Sequence, residues 1–197
     1  LSQVFGAEQV LVVLPSSASE SVRLGYQKLA KGWQKGRAVN MEIKLDNELD
    51  ELPTDRAVWL FGWENRFRSL FDNALSDYDY AKKESGVSIE DTEMKRDKHS
   101  VVIMGRHPSN SAHALAWLAT DNVSAMPGLG RKLPHYNKYS YLGFTGDEPT
   151  NVFKGQWPVV NSPMSIAISQ EDGEEVGPIT AKLTPRSALA QLPPVFS

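Results

Sequence analysis

The chain has 197 residues and a mass of 21.9 kDa, with 41% hydrophobic and 23% charged residues, no cysteine, and 21 basic side chains against 24 acidic ones. That length suits one domain with a sizeable core, since single cores usually serve ~100–200 residues. The lack of cysteine excludes a disulfide-built miniprotein and a zinc site made of thiolates. The near-neutral balance argues against a protein whose main task is to grip nucleic acid or anionic membrane, and no apolar run approaches the ~20 residues that span a bilayer. The sequence opens on Leu1 with no basic segment followed by an apolar one, as expected of a processed chain or a piece of a longer one.

Residues 10–14 form a continuous apolar run closed by Pro15, the pattern of a strand buried on both faces. Ser17 and Glu20 then have the spacing of a capping box. Val22, Tyr26, Leu29 and Trp33 follow at helical intervals, with Gly36 as the stop. Residues 39–45 alternate like a half-buried strand, 57–61 form a second apolar run ending at Gly62, and a helix over 65–75 buries Phe67, Leu70, Phe71 and Ala74. Twelve of the 23 residues in 76–98 are charged, so this stretch is expected to be a surface excursion with at most a short strand at 87–89. Residues 100–104 restore a strand. Gly105 and Pro108 end it, Ser109 caps a helix, and Ala112, Leu115, Ala116 and Ala119 make the small-residue face of that helix.

The last third reads as β structure. Strands are expected at 139–144 and 164–168, with 179–183 returning as the second arm of a hairpin, and 152–160 as a loop or irregular strand. Beyond Thr184 the prolines favour an extended connector. The expected fold is therefore layered α/β, with a mostly parallel sheet flanked by helices and a C-terminal antiparallel hairpin appendage over about 139–183. One domain would occupy 1–183, and 184–197 would lead to a following domain.

Three loops are expected to follow strands and precede helices: 15–17, 62–66 and 105–111. If their strands are parallel they emerge at one edge, where open α/β folds bind ligands. The third brings Arg106, His107 and Ser109 together at a helix start, the makings of an anion site, although helix capping explains the same residues. Neither a dinucleotide glycine fingerprint nor a phosphate-binding loop occurs. The histidines at 99, 107, 113 and 135 lack metal-ligand spacing, and no nucleophile elbow is present. No catalytic or metal-binding residue is assigned. The segment His135, Tyr136, Lys138, Tyr139, Tyr141, with Trp157 downstream, is the most unusual local composition. It suits either core packing or a surface that stacks on a peptide or sugar ring.

Residues 131–163, which include Leu-Pro-His-Tyr-Asn-Lys-Tyr-Ser-Tyr-Leu at 133–142, Gly-Asp-Glu-Pro-Thr-Asn at 146–151 and Lys-Gly-Gln-Trp-Pro-Val at 154–159, resemble a region of large bacterial zinc aminopeptidases. There it lies between a thermolysin-like peptidase domain and a two-zinc, transferrin-receptor-like aminopeptidase domain. The closing Leu-Pro-Pro-Val-Phe-Ser at 192–197 resembles the connector into the latter. The first of those domains needs His-Glu-x-x-His, which is absent here, and the zinc ligands of the second cannot be located. The resemblance therefore implies a non-catalytic accessory domain with no cofactor of its own. Zinc would reside in the parent's catalytic domains, the partners would be neighbouring domains of the same chain, with peptide substrate as a further candidate and no nucleic acid or membrane insertion, and the parent would be exported to the periplasm or cell envelope. Two other readings compete: a peptide- or glycan-binding module built on Tyr136, Tyr139, Tyr141 and Trp157, and a small α/β enzyme using Glu64, Arg106 and His107 at the strand-end loops.

Overall fold

In the computed structural model, which describes residues 1–36 and 40–158, the run beyond Glu8 forms β1 (Gln9–Leu14), with every residue from Val10 to Leu14 buried. A short helix α1 (Ser2–Phe5) precedes it and α2 (Glu20–Gly36) follows, burying Tyr26, Leu29, Ala30 and Trp33 as the sequence periodicity predicts. The hydroxyl at its start that accepts an amide is that of Ser19, from Val22 at 3.5 Å, whereas Ser17 reaches across to the Glu64 carbonyl. Strands β2 (Asn40–Leu45) and β3 (Ala57–Phe61) both pair with β1 in parallel register. The helix expected over 65–75 is shorter, α3 (Arg68–Asn73), but it still presents Phe71 to the core beside Phe67 and Leu75.

The charged stretch folds more than its composition suggests. It holds three antiparallel strands, β4 (Tyr80–Lys83), β5 (Gly86–Ile89) and β6 (Thr92–Lys95). Their few apolar residues, Val87, Ile89 and Met94, point inward and are buried. Alternation at period two lets a charge-rich ribbon cover a sheet with one face while the other stays in water.

Residues 105–119 also fold differently from the sequence expectation. In place of a strand, a loop and a helix, β7 (His99–His107) turns tightly into β8 (Asn110–Ala119), and the two pair antiparallel. Leu115, Trp117 and Ala119 face one core while Ala114, Ala116 and Leu118 face the other. Burial on both faces makes the strand the better solution, and it overrides the helical propensity of the alanines. The chain continues through α4 (Met126–Lys132) to β9 (Tyr141–Thr145) and β10 (Thr150–Gly155), which pair antiparallel.

The main sheet thus has seven strands in the order β10-β9-β7-β8-β3-β1-β2. Pairings among β2, β1, β3 and β8 are parallel and the rest antiparallel, so the sheet is mixed, not mostly parallel. On one face lie α1, α2 and α4, around Phe5, Trp33, Trp59 and Phe61 packed ring against ring at 4.9–6.0 Å between centroids. On the other lie α3 and the small sheet, packed on Phe71, Val87 and Trp117. These elements belong to a unit spanning Leu1–Val160. The hairpin expected over 164–183 and the connector over 184–197 lie outside the described residues.

Candidate functional site

The C-terminal ends of β1, β2, β3 and β8 share one edge with the N-terminal end of β7, and buried polar side chains tie their loops together. Asp46, only 2% exposed, follows β2; its carboxylate accepts the amides of Ser16 at 2.9 Å and Arg66 at 2.8 Å. Asn65 donates to the carbonyls of Val13 and Phe61, each at 3.0 Å, and accepts the amide of Phe67 at 3.1 Å. Between β3 and that loop, Gly62 has φ +89° and sits against Pro15, whose Cγ would lie 2.5 Å from an added Cβ. A residue with a side chain would be both strained and crowded there.

Above this floor lies a cleft of about 400 Å³ lined by Ser17, Ser19, Trp63, Glu64, Arg96 and Asp121, among others. Arg96 precedes β7 and Asp121 follows β8, and the hairpin between those strands brings them together. The Arg96 guanidinium donates to both oxygens of Glu64 and to both of Asp121, with Nε 2.5 Å from Asp121 Oδ2. It holds the Glu64 carboxyl below its ordinary range, against the opposing effect of burial, and its own pKa is raised first by Glu64 and then by Asp121. An arginine shared by two carboxylates is a planar fork with its donors occupied. Chemically this is a charge clamp. Among the described residues no group of three or more His, Asp or Glu side chains is placed to hold a metal ion.

The loops expected to converge do so only in part. Those at 15–17 and 62–66 meet at this edge, but the third is the β7–β8 turn at the opposite edge, since β7 and β8 are antiparallel. Arg106 is exposed there and donates to the Ser111 carbonyl at 3.3 Å. His107 is 2% exposed, and its Nδ1 accepts the Ser109 amide at 3.2 Å. This set serves a hairpin turn, with no helix start for an anion to meet, and Glu64 is separated from Arg106 and His107 by the length of the sheet.

The aromatic segment is likewise divided. Tyr136 and Tyr139 pack on the face carrying α1, α2 and α4, with Tyr136 5.5 Å from Phe144. Tyr141 is buried on the other face, donating to Glu90 Oε1 at 3.0 Å. Trp157 stacks on Tyr78 and lies tilted against Tyr141, each at 4.7 Å, and donates to the Met104 carbonyl at 2.6 Å. The four rings therefore share no groove. His135 and Lys138 are exposed, the latter with Nζ 5.4 Å from the centre of the Tyr139 ring.

Arg96 and Asp121 escaped the sequence reading because one lies in a charge-rich stretch and the other follows a segment read as helix. Each looks like an ordinary solvated residue until the hairpin is known. No family model matches this chain, and a search of curated proteins found no match.

Proposed function

We propose that the chain is a non-catalytic accessory module of a multidomain bacterial metallo-aminopeptidase, serving to position neighbouring domains or their substrate. The observation that carries this reading is the use made of the strand-end edge. Its polar groups are spent on the protein's own loops: Asp46 and Asn65 on backbone amides and carbonyls, Glu64 and Asp121 on Arg96. Residues 131–158, the described part of the 131–163 segment that carries the resemblance together with 192–197, support the same view. They supply β9, β10 and rings to both cores, as a fold determinant does. The hairpin at 164–183 and the connector at 184–197 that the sequence suggests belong to this proposal, as does zinc in the parent's catalytic domains.

The test uses the chain as it stands. After dialysis against chelator-free buffer it should carry no stoichiometric zinc, and it should not hydrolyse aminoacyl-anilides. One tightly held zinc per chain, or turnover above the level of a heat-killed sample, would overturn the reading.

A second reading, a small-ligand site, is favoured by the ≈ 400 Å³ cleft with Ser17, Ser19 and the clamped carboxylates on its wall. It requires a small molecule that competes with Glu64 and Asp121 for Arg96. A ligand screen by thermal shift on wild type and Arg96→Gln decides it, because a hit that disappears in the variant would establish the site.

A further inference from the structure

We infer that the groove between α2 and α4 is the docking site for an acidic amphipathic helix presented by a neighbouring domain. This rests on the accessory-module reading. The groove has a volume of about 600 Å³ and opens to solvent. Its floor includes Leu24 and Val123, 45% and 38% exposed, two of the three large hydrophobic side chains that stand out in water among the described residues. Apolar surface left open between two helices is the usual seat of an amphipathic helix.

Charge complementarity selects the occupant. The whole chain carries a net charge of −3, yet α2 and α4 together hold six basic side chains and one acidic, Glu20 at the start of α2. Lys28 on α2 and Arg131 on α4 line the groove from opposite sides. Arg131 shares Glu148 with Lys132, while Lys28, Lys31 and Lys35 make no ion pair among the described residues. A helix entering this groove therefore meets positive charge on both flanks, so carboxylates beside its apolar stripe are favoured and lysines repelled. The concavity also distinguishes the site from a membrane face, which is convex or flat and carries its apolar residues outward.

Gly32 adds a structural argument. It sits inside α2, lines the groove, and a Cβ built on it meets nothing within 4 Å. The fold itself does not need a glycine there, and a helix interior is weaker for having one. Its effect is to leave the groove open.

The experiment uses the whole chain with a fluorescein-labelled synthetic helix carrying Leu at i, i+4 and i+7 between flanking Glu residues. A second peptide with Lys at the flanking positions is the comparison. Anisotropy should show the acidic peptide binding about tenfold or more tightly than the basic one, with amide shifts confined to α2 and α4. The double variant Lys28→Glu/Arg131→Glu should weaken it about tenfold or reverse the preference. Gly32→Trp should abolish binding while circular dichroism and melting temperature stay at or above wild type. Equal binding of the two peptides, binding of neither, or binding unaffected by Gly32→Trp would overturn the proposal, as would retention on vesicles of anionic lipid without peptide binding. None of these results depends on zinc content or anilide hydrolysis, so the accessory-module reading stands or falls separately.

Discussion

Tyr26 and Thr120 meet twice: the phenol donates to the Thr120 carbonyl, and its oxygen accepts the Thr120 amide, both at 2.7 Å. Through this pair, with no exposed surface on Tyr26, α2 is fastened to the end of β8 beside Asp121. Burial keeps the phenol protonated by pushing its pKa up.

Removing the hydroxyl leaves a buried amide and a buried carbonyl to find partners in a dry site. Tyr26→Phe should therefore lose about 2–3 kcal/mol in urea unfolding, more than one ordinary hydrogen bond contributes. An amide exchange map should show the protection of Thr120 falling with it. A loss under ~0.5 kcal/mol would mean that water enters and replaces the phenol.

The glycines of α2 should respond in opposite directions. Gly32→Ala adds a methyl into open space on an exposed helix face, so a gain of about 0.5–1 kcal/mol is expected from the reduced entropy of the unfolded chain. An added Cβ at Gly25 would lie 2.4 Å from the Sδ of Met126, a side chain only 1% exposed and hemmed in by the core, and Gly25→Ala should cost about 1–3 kcal/mol. Thermal melts of the two single variants suffice. If both shift the same way, the contact between α2 and Met126 is looser than described.

Much of this architecture is visible in the chain. Val10 to Leu14 and Ala57 to Phe61 are continuous apolar runs of strand length closed by Pro15 and Gly62, which marks them as buried strands, and Tyr26, Leu29 and Trp33 repeat at the pitch of a helix. Residues 112–119 satisfy both periods, because Ala112, Leu115, Ala116 and Ala119 fit a helical stripe while Leu115, Trp117 and Ala119 also alternate. Packing on two faces decides between them, and that is a property of the neighbours. The clamp was illegible for the same reason. Arg96 finds Asp121 only because β7 and β8 form a hairpin that places residues 25 apart side by side. Local composition carries no trace of such a pairing.

His107 gives stability a pH dependence. Burial first, and then the nearby His113, hold its pKa below the ordinary 6.5. The unfolded imidazole therefore binds a proton before the folded one does. Its contribution is fully present above about pH 6.5 and is lost as pH falls from there through the depressed folded value. His107→Asn keeps an acceptor for the Ser109 amide but does not titrate. Urea midpoints measured from pH 7.5 down to 5 should fall more steeply for wild type than for this variant. Parallel curves would show that His107 does not carry the dependence.

The clamp predicts a local titration without a large global cost. Glu64, Arg96 and Asp121 have side chains 54%, 38% and 45% exposed, so Arg96→Gln should change stability at pH 7 by only about 0–1 kcal/mol. The Glu64 carboxyl, held low chiefly by its hydrogen bond to Arg96, should return toward its usual range in the variant. Since the folded pKa is depressed, the pair stabilises above the unfolded value and ceases to do so as pH drops through the folded one. Carbon-detected NMR titration of the Glu64 side chain reads this directly. An unshifted Glu64 midpoint in Arg96→Gln would show that the guanidinium does not hold the carboxylate in solution, and the edge would then have a free acid facing the cleft.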